Sequence, residues 1–182
     1  EAEAAFLFSV GETSFVYDVE NGFKMITKVT NRIKIYSKEG YSWGNKEISY
    51  YTGKGEVEKI RILEANTYNL TNGKIEKTAA KVEGIFDVKE NDSWSIKKII
   101  LPNVKEGSIL EYVYTIESPY LSTIPEFHFQ YSIPVNKAQF SVLVPEYFVY
   151  VSGYKGFRSP TIVRKDELAL LSYGSNRLRD KK

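Results

Sequence analysis

Acid-base catalysis calls for side chains that titrate near neutral pH, and this 182-residue chain has a single histidine, His128. It lies in Pro-Glu-Phe-His-Phe-Gln-Tyr-Ser, residues 125–132. In an extended segment Glu126, His128 and Gln130 share one face while Phe127, Phe129 and Tyr131 share the other. A carboxylate and an imidazole so spaced could form an acid/base dyad, but no third group with an orienting role stands nearby. The segment therefore reads as an ordinary polar face. Cysteine is absent, which removes thiolate nucleophiles, disulfides and Cys-ligated zinc by inventory. Oxygen-rich turns at Asp18, Glu20 and Asn21 and at Asp87, Glu90, Asn91 and Asp92 lack the spacing of a calcium loop. Gly53-Lys-Gly55 lacks the Lys-Ser/Thr pair and following helix of a phosphate loop. The expectation is a non-enzymatic chain with no metal and no cofactor.

Binding chemistry has more to draw on, because the chain carries 14 Tyr, 10 Phe and 2 Trp. Tyr41 and Trp43 in Gly-Tyr-Ser-Trp-Gly-Asn, and Tyr50 and Tyr51 in Ser-Tyr-Tyr-Thr-Gly, fall in or near turns. Exposed there, the four rings would stack on a glycan or line a groove for an extended peptide. The competing reading is that they fill a sheet-lined core or cover strand edges. Asn69 and Asn91 head glycosylation sequons, patterns short enough to arise by chance. The net charge of +2 gives no overall excess for neutralising phosphates, so no nucleic-acid partner is expected. Residues 1–152 hold 17 basic and 20 acidic groups and residues 153–182 hold 8 and 3. The basic excess thus sits in the last segment, and Asn176 to Lys182 reads as a solvated end. No apolar run reaches the 18 residues of a membrane span. The acidic start, Glu-Ala-Glu-Ala, followed by a short apolar run, resembles neither signal peptide nor anchor.

What would position these groups is a set of strands. Period-2 alternation dominates, clearest in residues 23–37, where Phe23, Met25, Thr27, Val29, Asn31, Ile33 and Ile35 fall on one face and Lys24, Lys28, Arg32 and Lys34 on the other. Comparable runs cover 13–19, 46–51, 57–70, 74–83, 94–101, 108–118, 127–133, 138–144 and 147–154. Asn-Gly at 21–22 and 72–73 supplies tight hairpin turns, and Pro119, Pro125, Pro134 and Pro145 mark strand ends. About ten short strands without a long helix predict one all-β domain over residues 1–182, an antiparallel two-sheet β-sandwich, broadly immunoglobulin-like. Residues 164–175 fit either a last strand or one turn of helix. Pro102 should end one strand and Gly107 should permit the backbone reversal into Ser108–Ser118, giving a hairpin of two core strands that presents Leu110, Tyr112, Tyr114 and Ile116 on one face.

The ordered series Glu-Thr-Ser-Phe-Val-Tyr-Asp (12–18), residues 28–43, Thr-Tyr-Asn-Leu-Thr-Asn-Gly-Lys-Ile-Glu-Lys-Thr (67–78), residues 99–119 and residues 127–135 resembles a bacterial domain of unknown function, number 3857, found ahead of transglutaminase-like domains in exported proteins. Pro-Asn-Val-Lys-Glu-Gly-Ser-Ile-Leu-Glu-Tyr-Val-Tyr-Thr-Ile, from Pro102, is its most characteristic piece. The resemblance implies a β-sandwich acting as the N-terminal module of a longer periplasmic or cell-envelope protein. Any catalytic Cys, His and Asp would belong to the following transglutaminase-like module, the implied partner in the same polypeptide. The family offers no catalytic residues to carry over. It also leads one to expect further strands after Lys182.

Overall fold

The computed structural model describes residues 2–151, 153, 155 and 161–163, together with the backbone of 168–173 and 176–181. Among these the strands are β1 Ala4–Asp18, β2 Gly22–Ile35, β3 Asn45–Tyr51, β4 Lys59–Thr71, β5 Lys74–Ala79, β6 Ile85–Lys89, β7 Trp94–Ile100, β8 Ile109–Ser118, β9 Ala138–Val142, β10 Leu168–Tyr173 and β11 Asn176–Lys181. They form a six-stranded sheet in the order β5-β4-β8-β2-β1-β9, a three-stranded sheet β3-β7-β6 and a β10-β11 hairpin. Two short 3-10 turns, Lys38–Gly44 and Val82–Gly84, are the helical elements. The expected all-β sandwich is what forms, with one departure from antiparallel pairing: β9 runs parallel to β1. The ambiguous stretch ahead of Ser175 contributes the strand β10, and the side chains of the basic end lie outside the described residues.

Alternation on β2 holds: Met25, Thr27, Asn31, Ile33 and Ile35 are buried while Lys28 is exposed. The inner face of the large sheet contributes Ala4, Phe6, Ile33, Ile35, Leu110 and Tyr112 to the core, and the small sheet contributes Ile48 and Ile99. Burying each aliphatic side chain here stabilises the fold by about 1.5–3 kcal/mol. The Tyr112 hydroxyl crosses the sandwich to donate to the Trp43 carbonyl at 2.8 Å. Further along the same face the core turns polar. There Ser9 donates to Asn31 and the Thr13 and Thr27 hydroxyls pair, both at 2.9 Å, so the buried polar groups satisfy one another.

The small sheet covers only part of that inner face, and the rest is roofed by the irregular segments that flank β9, residues 119–137 and 143–151. Residues 127–133 and 147–151 were expected as strands and are not. Their aromatic rings pack down onto the sheet instead of their backbones joining a ladder. Phe127 stacks on Phe140 at 5.0 Å, and both rings sit over Gly11, where a Cβ would come within 2.8 Å of them. Tyr131 stacks on Phe6 at 4.2 Å, while Phe148 and Tyr150 stack on Phe15. Conversely, β6 was not anticipated; its apolar residues Phe86 and Val88 face away from the core, so burial gave no pattern to find.

The expected hairpin between β7 and β8 is also corrected. The two strands lie in different sheets, because Ile99 and Leu110 are core residues on opposite layers. Residues 101–108 therefore carry the chain across the sandwich. Pro102 does follow the end of β7, and Gly107 has φ +83°, joined by Asn103 at φ +56°. Asn69 of β4 ties this crossover down, donating to the Asn103 carbonyl at 2.9 Å and accepting from Ser108 Oγ at 2.6 Å. At only 6% exposed, the Asn69 sequon is closed to a glycan in the folded chain, whereas Asn91 is exposed.

Candidate functional site

The four aromatic candidates fall into two groups. Tyr41 and Trp43, in the first 3-10 turn, pack against the core. Trp43 meets Phe6 edge-on at 5.4 Å and donates through Nε1 to Glu3 at 3.3 Å, and the Tyr41 hydroxyl accepts from the Glu106 N–H at 3.1 Å. Those two rings hold the sandwich together. Tyr50 and Tyr51 are successive residues of β3 and so face opposite sides. The Tyr50 hydroxyl donates to Asp87 at 2.8 Å, and burial, with that carboxylate beside it, pushes its pKa up to about 12. Tyr51 meets Trp94 and Tyr120 edge-on at 5.7 and 5.5 Å. The four rings do not line one groove.

Tyr51 points instead to a feature that sequence reasoning missed. It lies on the outer face of the three-stranded sheet, directly opposite Trp94. The same register puts Ile96, Lys98 and Ile100 of β7 and Phe86 and Val88 of β6 on that face. Trp94, Phe86, Val88 and Ile100 are 42, 39, 37 and 46% exposed, with Tyr120 at the border. One ion pair, Lys98 with Glu47 at 2.8 Å, crosses this apolar bed. The outer face of the large sheet carries more paired charge. Arg32 is bonded to Glu111, Tyr68 donates to the same carboxylate at 2.8 Å, and Lys24–Glu117 and Lys77–Glu64 pair at 3.0 and 3.1 Å. Partial burial pushes the Glu111 carboxyl up, but Arg32, Tyr68 and Asn66 outweigh it and hold the pKa below the usual value. That face is laced with ion pairs, though Leu70 and Ile75, opposite one another at its β4-β5 end, are 69 and 75% exposed.

The polar candidates have local structural partners. His128 and Glu126 are exposed on an irregular segment, so strand alternation no longer aligns them. Asp18 accepts hydrogen bonds from the backbone of Glu20 and Asn21 and closes the β1-β2 turn. Asp87 pairs with Lys97 at 2.7 Å and Lys89 with Asp92 at 2.8 Å. Among the described residues no three His, Asp or Glu side chains converge as metal ligands. A shallow cleft of about 530 Å³ is lined by Glu3, Ser37, Glu39, Ile133 and Pro134, and its two carboxylates already accept bonds from Trp43 and Ser37.

No curated protein matches the chain. Among solved structures it is similar to one described as a "putative protease" from Parabacteroides distasonis, with TM-score 0.63 and 14% identity over 98% of this chain and 35% of that one. The chain thus spans about a third of that relative's length, and the likeness is one of fold. An M1 zinc metallopeptidase from Deinococcus radiodurans aligns with 68% of the chain and 23% of its own at 11% identity; at a TM-score of 0.22 it carries no argument. A family model, Domain of Unknown Function with solved-structure structure (DUF3857), matches residues 23–178. With most of its length matched in that way, the chain belongs to the DUF3857 family.

Proposed function

We propose that this chain is a non-catalytic accessory module of an exported, cell-envelope protein, and that it docks a neighbouring module, of transglutaminase-like type, on the outer face of its three-stranded sheet. The observation that carries the reading is the half-exposed apolar surface of Phe86, Val88, Trp94, Ile96 and Ile100, which the register gathers on one face of the three-stranded sheet. A sheet packed on one side and apolar on the other is suited to a third layer. Family membership and the greater length of the structural relative support a modular setting. The test is the size of the native polypeptide in envelope fractions of the source cells, blotted with an antibody raised against this chain. A band well above 20.9 kDa is expected; a band at that mass contradicts the modular reading.

The glycan- or peptide-binding alternative now rests on fewer rings. Tyr51, with Trp94 and Tyr120, forms a half-exposed aromatic corner at one end of the same face. Ligand binding there would compete directly with docking.

A further inference from the structure

The register of the small sheet fixes which backbone groups it leaves open. Glu90 donates its N–H to the Trp94 carbonyl across the β6-β7 turn, so the even-numbered residues of β6 face β7. Ile85, Asp87 and Lys89 then direct their N–H and C=O groups away from the sheet. Phe86 to Lys89 are all exposed, and among the described residues β6 pairs with β7 alone. The charges on this edge, Asp87 and Lys89, are of opposite sign and two residues apart.

The other edges differ. On β3 the backbone of Tyr51 is already engaged, its N–H by the Glu58 carboxylate and its C=O by the Glu58 N–H, both at 2.9 Å. Lys46 also faces inward on that strand, opposite Ile99, as a charge that discourages further pairing. Two-fold pairing of β5 about Glu76 or Lys77 would set like charges against each other; pairing about Ile75 would set Lys74 against Glu76, but the Glu76 carboxylate is already held by the Thr71 hydroxyl at 3.0 Å. On β9 the exposed residues are Gln139 and Ser141.

We propose that β6 pairs antiparallel with β6 of a second copy of this chain, about a two-fold axis through Val88, giving a continuous sheet across the dimer. The charges select both the partner and the register. Centring on Asp87 or on Lys89 opposes like charges, and centring on Phe86 sets Asp87 against Ile85. Centring on Val88 sets Asp87 against Lys89 of the second copy and Lys89 against its Asp87, with the two valines face to face. In that register Asp87 and Lys89 exchange their open backbone hydrogen bonds with the second copy, which uses the unpaired groups in the middle and at the end of the edge. The pairing also joins the two apolar outer faces. It stands on the β6 edge alone, so its failure would leave the accessory-module reading untouched.

The absence of native cysteine makes cross-linking a clean test. Opposed residues of a non-hydrogen-bonded pair have Cα atoms about 4.5 Å apart, within the roughly 4.4–6.8 Å that a disulfide spans. Oxidation of the Val88→Cys chain is expected to give a covalent dimer. The Phe86→Cys chain, whose two sulfur-bearing positions would lie about 13 Å apart in this register, should not. Adding Lys89→Glu to Val88→Cys should lower the yield by about tenfold, because two cross-strand pairs become repulsive together. Circular dichroism of each variant checks that the fold is kept; the Lys89–Asp92 pair it breaks is exposed. No cross-link at position 88, equal cross-linking at 86 and 88, or indifference to Lys89→Glu overturns the proposal.

Discussion

Glu111 illustrates how a single residue ties the polar face together. It accepts from Tyr68 and pairs with Arg32, whose guanidinium also lies over the Phe8 ring at 5.3 Å. Its folded pKa is depressed, so its contribution to stability is fully present above the unfolded carboxylate pKa and is lost as pH falls through the folded value. Thermal melts of the native chain and of Glu111→Gln should therefore differ most near neutral pH, by about 1–2 kcal/mol, and should converge as pH falls below the usual carboxylate range. A gap that stays constant with pH would contradict the assignment. The same scale shows why the aromatic candidates divided as they did. Ring type is visible in a sequence, but Tyr41 and Trp43 became core because the 3-10 turn tucks beneath Glu3, whose carbonyl accepts from Tyr36 and Ser37, a contact between segments far apart in the chain.

Among elements, those governed by local rules were readable. The β4-β5 hairpin turns on Asn72 and Gly73, both at positive φ, as Asn-Gly predicts, and β2 declares its buried face by alternation. The crossover 101–108 was readable only as a turn, since the layer in which each flanking strand lies depends on contacts far away in sequence. Its Gly107 supports a sharp prediction. A Cβ there would meet nothing within 4 Å, so only the backbone conformation, φ +83°, resists substitution. Gly107→Val should cost more than about 1 kcal/mol, and Gly107→Asn distinctly less, because asparagine tolerates the left-handed region. Denaturant midpoints measure both. An unchanged Val variant would retire the claim. Residues 127–133 depart from the expected strand for a related reason: their alternation is real, but Phe127 and Tyr131 are recruited as side chains to roof the large sheet around Gly11 and Phe6 while the backbone joins no ladder.

For the whole molecule, the all-β class and the family were legible in composition, alternation and the Pro102–Ile116 motif, which turns out to serve the crossover and the core. The apolar outer face of the small sheet was not legible, because a strand such as β6 with apolar residues outward looks, in sequence, like any half-buried strand. The most direct measurement is hydroxyl-radical footprinting of the isolated chain against the native polypeptide from envelope fractions, read at Trp94, Phe86 and Ile96, with Tyr68 on the polar face as reference. The account predicts strong protection of the first three in the native polypeptide and unchanged labelling of Tyr68. Equal labelling of Trp94, Phe86 and Ile96 in both samples would contradict it.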